Sequence, residues 1–106
     1  MNGQMTIFDF LAPAYPDIND ITEEEAARII GDAIGAQFKY VDRFREWQGK
    51  IGKLKLSVGY SHFILDDNHD LFVDTDYQFG TEGGGAPCTS IEGAVKWFRK
   101  KIKQYS

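Results

Sequence analysis

Asp74 and Asp76 stand two residues apart. In an extended strand that spacing puts both carboxylates on one face, where paired oxygens can hold a divalent cation such as magnesium. No Glu-x-Lys partner of the common nuclease kind follows them, so the pair reads as the solvent face of a strand and no metal is assigned. Asp66, Asn68 and Asp70 open with the spacing of a calcium loop. Leu71 occupies the place of the glycine that loop needs for its sharp turn, and Tyr77 the place of its bidentate glutamate. A polar turn is the better account. His62 and His69 are the only histidines, and their spacing is not that of a ligand pair. Cys88 precedes a helix, where the dipole lowers a thiol pKa, but nothing in the sequence nominates the base and oxyanion donor a nucleophile requires. Gly83-Gly84-Gly85 offers backbone amides to an anion, yet lacks the Gly-Lys-Ser/Thr of a phosphate loop. The expectation is a protein that is not an enzyme and has neither cofactor nor metal.

Gln4-Met5-Thr6-Ile7-Phe8 carries a different chemistry. An extended peptide of this kind buries two or three apolar anchors in a partner's pocket, while one amide side chain fixes the register. Gln4 and Phe8 match, and Met5, Thr6 and Ile7 approximate, the pattern of Gln, aliphatic, Ser or Asp, Leu, Phe. The segment therefore resembles the short peptide by which bacterial DNA-processing proteins dock on the replication sliding clamp. The resemblance covers five residues and implies a protein partner for Gln4, Met5, Ile7 and Phe8. Pro13 and Pro16 follow within APAYPDIND, stiffening the chain and removing amide donors. Residues 1–16 thus read as an N-terminal peptide and proline linker, and 17–106 as a single α+β domain.

The elements follow from periodicity. Thr22 and Glu25 form a capping box at the start of a first helix, with Ala26, Ile30, Ala33 and Ile34 at helical spacing up to about residue 36. Residues 37–48 fit either a strand or a helix, and a strand at 37–43 is preferred. Leu54, Leu56, Val58, Tyr60 and His62 alternate with Lys55, Ser57, Gly59 and Ser61, which predicts a strand with one buried face. A polar turn over 66–70 leads into a returning strand from Leu71 to Tyr77. Residues 78–87 read as a glycine-rich connection. A second capping box at Thr89–Glu92 opens a last helix whose apolar stripe is Ile91, Ala94, Val95, Phe98, Ile102 and Tyr105. The predicted order is α-β-β-β-α, a three-stranded antiparallel sheet with both helices on one face. Over 22–104 that order resembles the double-stranded-RNA-binding domain. The acidic openings of both helices have the wrong sign for that family's phosphate contacts, so the RNA function does not carry over.

Charge is distributed in blocks: −6 over residues 9–32, +4 over 39–55, −6 over 66–82 and +4 over 92–106. These sum to the net −4 and disfavour a uniformly basic nucleic-acid surface. One lone cysteine, no apolar run of membrane length and no secretion-type leader point to the cytoplasm, with no membrane partner. In general appearance the chain looks like the small accessory and anti-defence proteins of phages and mobile elements, including inhibitors of CRISPR and restriction enzymes. The expected function is a non-enzymatic protein-binding module that occupies a surface of a host nucleic-acid-processing machine. Asp66, Asp67 and Asp70 would join the N-terminal peptide as contacts. One alternative is a nucleic-acid-binding domain using 39–55 and 96–103, with Trp47 or Trp97 for stacking. The other is a minimal metal-dependent enzyme at Asp74 and Asp76.

Overall fold

Two helices lie against one face of a five-stranded sheet. The computed structural model describes residues 15–65 and 68–106, with the backbone alone described over 63–65 and 68–69. A 3-10 helix, Ile18–Asp20, precedes α1 (Glu23–Ile34). The strands are β1 (Lys39–Val41), β2 (Glu46–Ile51), β3 (Leu54–Leu65), β4 (Asn68–Phe79) and β5 (Glu82–Cys88), and the chain closes with α2 (Ile91–Gln104). All four strand pairs are antiparallel and sequential, so the sheet is a plain meander in the order β1-β2-β3-β4-β5.

The α+β class and the two helices on one face agree with expectation, whereas the sheet has five strands instead of three. The stretch 37–48, expected to hold one strand at 37–43, folds as β1, a tight turn and the start of β2. Arg45 makes that turn at φ 52°, and Tyr40 is paired back onto Trp47. The glycine-rich segment predicted as a connection is strand β5. Glycine loses entropy in a strand and offers little side chain to pack, so propensity argues against it there. The register supplies the reason it is glycine. A Cβ on Gly85 would lie 2.1 Å from Asp76 Oδ1 and 2.7 Å from the Thr75 carbonyl oxygen, so the Asp76 side chain leans over bare backbone. Part of the predicted polar turn is strand: β3 runs to Leu65 and β4 starts at Asn68, so Asn68 and Asp70 are paired residues.

Both helix starts are capped. Thr22 and Glu25 exchange hydrogen bonds as a capping box, with Glu25 N–H to Thr22 Oγ1 at 3.1 Å and Thr22 N–H to Glu25 Oε1 at 3.0 Å. α1 ends one turn on from Gly31, at Gly35, whose φ of 80° is the left-handed cap that glycine adopts without penalty. For α2 the box expected at Thr89–Glu92 is not made, because the cap falls one residue later. Ser90 caps the Gly93 amide at 3.0 Å, but glycine at that third position has no side chain to answer.

Strand alternation sets the core. Leu54, Leu56, Val58, Val73 and Cys88 are buried on the helix side, against Ala26, Ala27 and Ile30 of α1 and Ile91, Ala94, Val95 and Phe98 of α2. The helix termini are tied to the sheet by polar contacts. Glu23, in the first turn of α1, accepts from Trp47 Nε1 at 2.9 Å and from the Tyr60 backbone N–H at 2.7 Å. The β2–β3 register ends at Trp47 opposite Val58, so the carboxylate meets the Tyr60 amide where strand pairing has stopped. The Tyr60 hydroxyl lies within 3.1–3.3 Å of the carbonyl oxygens of Ile18, Ile21 and Thr22. Burial, followed by the charges of Glu23 and Glu25, pushes its pKa up, so it stays a donor.

Replacing Glu23 with Ala leaves a half-buried amide and an indole N–H without their acceptor. The expected loss is about 1–3 kcal/mol of unfolding free energy, read by urea denaturation with Trp47 fluorescence. Gln at this position keeps one acceptor oxygen and turns an amide group toward the other donor, so it should recover only part of the loss.

Candidate functional site

Residues that alternate with the core positions form the second face of the sheet, and among the described residues no helix lies over it. One row crosses all five strands: Lys39, Gln48, Ser57, Asp76 and Gly85. On one side of it runs Lys50, Lys55, Gln78 and Gly83. On the other side Glu46 pairs with Val41, while Gly59, Asp74 and Pro87 are in register. Ser57, short beside the long side chains of Lys39, Lys50, Lys55, Glu46, Gln48 and Gln78, leaves a trough of about 830 Å³, with Phe44 at its rim. Phe44 is 57% exposed on the β1–β2 turn, with the Arg43 guanidinium 5.5 Å from its ring centre.

Asp74 and Asp76 share this face, as their spacing requires, and Glu46 is close enough to act on Asp76. Burial against β5, then the Glu46 and Asp74 charges, push the Asp76 carboxyl pKa up. Among the described residues no group of three or more His, Cys, Asp or Glu side chains is arranged to hold a metal ion. The face is polar and bears charges of both signs.

A second feature is the β3–β4 hairpin. Pairing with β2 ends at Val58 and pairing with β5 ends at Val73, while β3 and β4 continue together to Leu65 and Asn68. Residues 60–65 and 68–72 therefore form a two-stranded arm about 20 Å long, at about 3.3 Å per residue. Its base is seated by Tyr60 on the 3-10 helix. Asp70 is exposed near its end, paired with Phe63. Asp66 and Asp67 lie outside the described residues, as do Gln4, Met5, Ile7 and Phe8. The calcium-loop spacing has no loop behind it, because Asn68 and Asp70 are paired strand residues. His62, expected to face inward, is exposed, since the arm runs past the layer that covers the rest of its strand. Ser61 Oγ is out of solvent without a hydrogen-bond partner.

The two basic blocks do not meet. Lys39, Lys50 and Lys55 point from the open face, whereas Lys96, Lys100 and Lys103 are exposed on α2 across the sheet. Both tryptophans are engaged. Trp47 donates to Glu23 and lies 5.2 Å from Tyr40, while Trp97 packs on Phe98 and Tyr77, with the Lys101 ammonium 5.5 Å from its ring centre. The C-terminus is clasped to β5 by Tyr105, which stacks on Phe79 at 4.7 Å and donates to Glu82 at 2.5 Å. That hydrogen bond, and a second with Tyr77, push the Tyr105 pKa up. Arg99 Nη2 donates to the Ala33 carbonyl at 3.1 Å and joins the two helices.

Cys88, read as a partly buried residue at a helix entry, is 9% exposed at the end of β5, with Sγ 3.8 Å from Thr75 Oγ1. Burial pushes its thiol pKa up, outweighing the Thr75 contact that lowers it. The place of Cys88 in a strand was not legible, because β5 was hidden by its glycines. Neither the arm nor the trough was foreseen, although the alternation of Lys55, Ser57 and Gly59 did indicate a second, polar face. No family model, curated protein or solved structure matches the chain. Among the described residues no helix is long and apolar enough to cross a membrane.

Two outcomes follow. A carboxyl whose folded pKa lies above its unfolded one stabilises the fold most below the unfolded value, and that contribution is lost as pH rises through the folded value. Asp76→Asn should therefore raise stability at neutral pH by up to about 1 kcal/mol, the scale of a partly screened charge. The difference from wild type should vanish when urea unfolding is repeated below the ordinary aspartate pKa of 3.8. Cys88 should resist a thiol reagent in the folded protein and react at the rate of a free thiol in denaturant.

Proposed function

We propose that the chain is a non-enzymatic binding module that occupies a surface of a bacterial nucleic-acid-processing machine, of the kind carried by phages and mobile elements to inhibit host defence. Gln4, Met5, Ile7 and Phe8 form the docking peptide, and Asp66, Asp67 and Asp70 form an acidic second contact. The observation that carries the reading is the projecting arm. A two-stranded ribbon is marginal on its own in water, so extending one past its neighbours suits a segment whose end meets another molecule. Asp70 is exposed near the end of the arm, and an acidic projection is complementary to the basic channel of a nucleic-acid enzyme.

The alternative, a nucleic-acid-binding domain using 39–55 and 96–103, calls for a surface shared by both blocks. It predicts binding that weakens steeply with salt. A metal-dependent reaction at Asp74 and Asp76 is the remaining alternative, which magnesium or manganese titration calorimetry tests.

The direct test is binding of the full-length protein to a purified bacterial sliding clamp by surface plasmon resonance. Gln4→Ala and Phe8→Ala should each weaken binding by about tenfold or more, as loss of an anchor does. Removal of residues 1–11 should abolish it. Full-length protein that does not bind the clamp removes the docking peptide from the account.

A further inference from the structure

Six ionised side chains on the open face are sorted by sign. Lys39, Lys50 and Lys55 occupy one corner, and Glu46, Asp74 and Asp76 the opposite one. Each group repels itself. Lys50 and Lys55 are directly opposite each other across β2 and β3, where like charges are destabilising. The acids act against one another too, since Glu46 and Asp74 both disfavour ionisation of Asp76. Among the described residues no ion pair joins the two groups; the one salt bridge, Lys96–Glu92 at 3.5 Å, lies on the exposed side of α2. Interleaving the same six charges would relieve both repulsions, so folding alone does not account for the arrangement.

We infer that this face is the contact between two copies of the chain, stacked face to face about a two-fold axis that sets the lysine corner of each over the acidic corner of the other. A two-fold interface uses one patch twice and must therefore be self-complementary. A patch of a single sign cannot satisfy that condition, whereas one divided into a basic and an acidic corner does. Five strands about 4.8 Å apart and about six residues deep give a face of roughly 480 Å² in projection. Counted on both copies, that is below the range of stable interfaces and within that of weak, transient ones. The contact is accordingly weak, governed by charge and sensitive to salt. It leaves the arm and the N-terminal peptide uninvolved, so it stands or falls separately from the clamp-binding reading.

Sedimentation equilibrium of the full-length chain tests it without any substitution. At about 0.05 M salt and about 0.1 mM protein the mass should approach twice the 12.0 kDa of one chain. At about 1 M salt, where charges are screened within about 3 Å, it should fall to one. The triple variants Lys39→Glu, Lys50→Glu, Lys55→Glu and Glu46→Lys, Asp74→Lys, Asp76→Lys give faces of one sign. Each should be monomeric at low salt, with the far-ultraviolet circular dichroism of the wild type. Mixed in equal amounts, they should recover the doubled mass, because an all-acidic face then meets an all-basic one. A wild type of single mass at low salt overturns the inference. So do variants that remain dimeric, or folded variants that fail to associate when mixed.

Discussion

The structure depends on one carboxylate placed where a strand runs out. β2 stops at Glu46, but β3 continues, and the first β3 amide directed toward the missing neighbour is that of Tyr60. Left without a partner, that N–H would have to stay in water, and the helix layer could not close over it. Glu23 answers it from the first turn of α1, where a negative charge is also favoured by the helix dipole. The same carboxylate accepts a hydrogen bond from the Trp47 indole N–H, so one side chain fixes the start of α1 against two strands at once. Tyr60 completes the joint from the other direction, its hydroxyl among the carbonyls of the segment leading into the helix.

From that joint the rest is ordered. Because α1 and the 3-10 helix are seated at the base of the β3–β4 hairpin, the outer part of the hairpin leaves the sheet as an arm instead of fraying from its middle. Because both helices are committed to the core face, the other face keeps its polar rows. Two surfaces of different character result. The arm is narrow and ends in acidic sequence, while the open face is broad, of mixed charge and segregated by sign. Glycine at 85 lets Asp76 lie against β5, which is why the acidic corner is partly desolvated and costs stability at neutral pH. That cost sits on the surface to which we assign a partner.

How much of this could be read in advance depends on how local each signal is. The helices were legible, because capping by Thr22 and the stripe Ile91, Ala94, Val95 and Phe98 are fixed within a few residues, although the cap of α2 fell on Ser90 and not on Thr89. The alternation of Leu54, Leu56 and Val58 likewise showed a buried face. β1 and β2 were not separable, because Tyr40 and Trp47 fit a helical stripe as well as strand pairing until a turn at Arg45 is known. β5 was hidden by its glycines, whose reason is a neighbour nine residues away in sequence and adjacent in register. The trough and the arm are products of register, since they depend on where β2 and β5 stop relative to β3 and β4. No single segment carries that information. The polar face was implied by Lys55 and Ser57, but the sorting of its charges needed all five strands in order.

The central claim is that Glu23 takes the place of a strand neighbour for Tyr60. Residue-by-residue amide hydrogen exchange tests it most directly. The account predicts that the Tyr60 amide is protected as strongly as that of Val58, its neighbour inside the sheet, and opens only with global unfolding. Exchange of Tyr60 at the rate of the exposed outer arm, while Val58 remains protected, would contradict it.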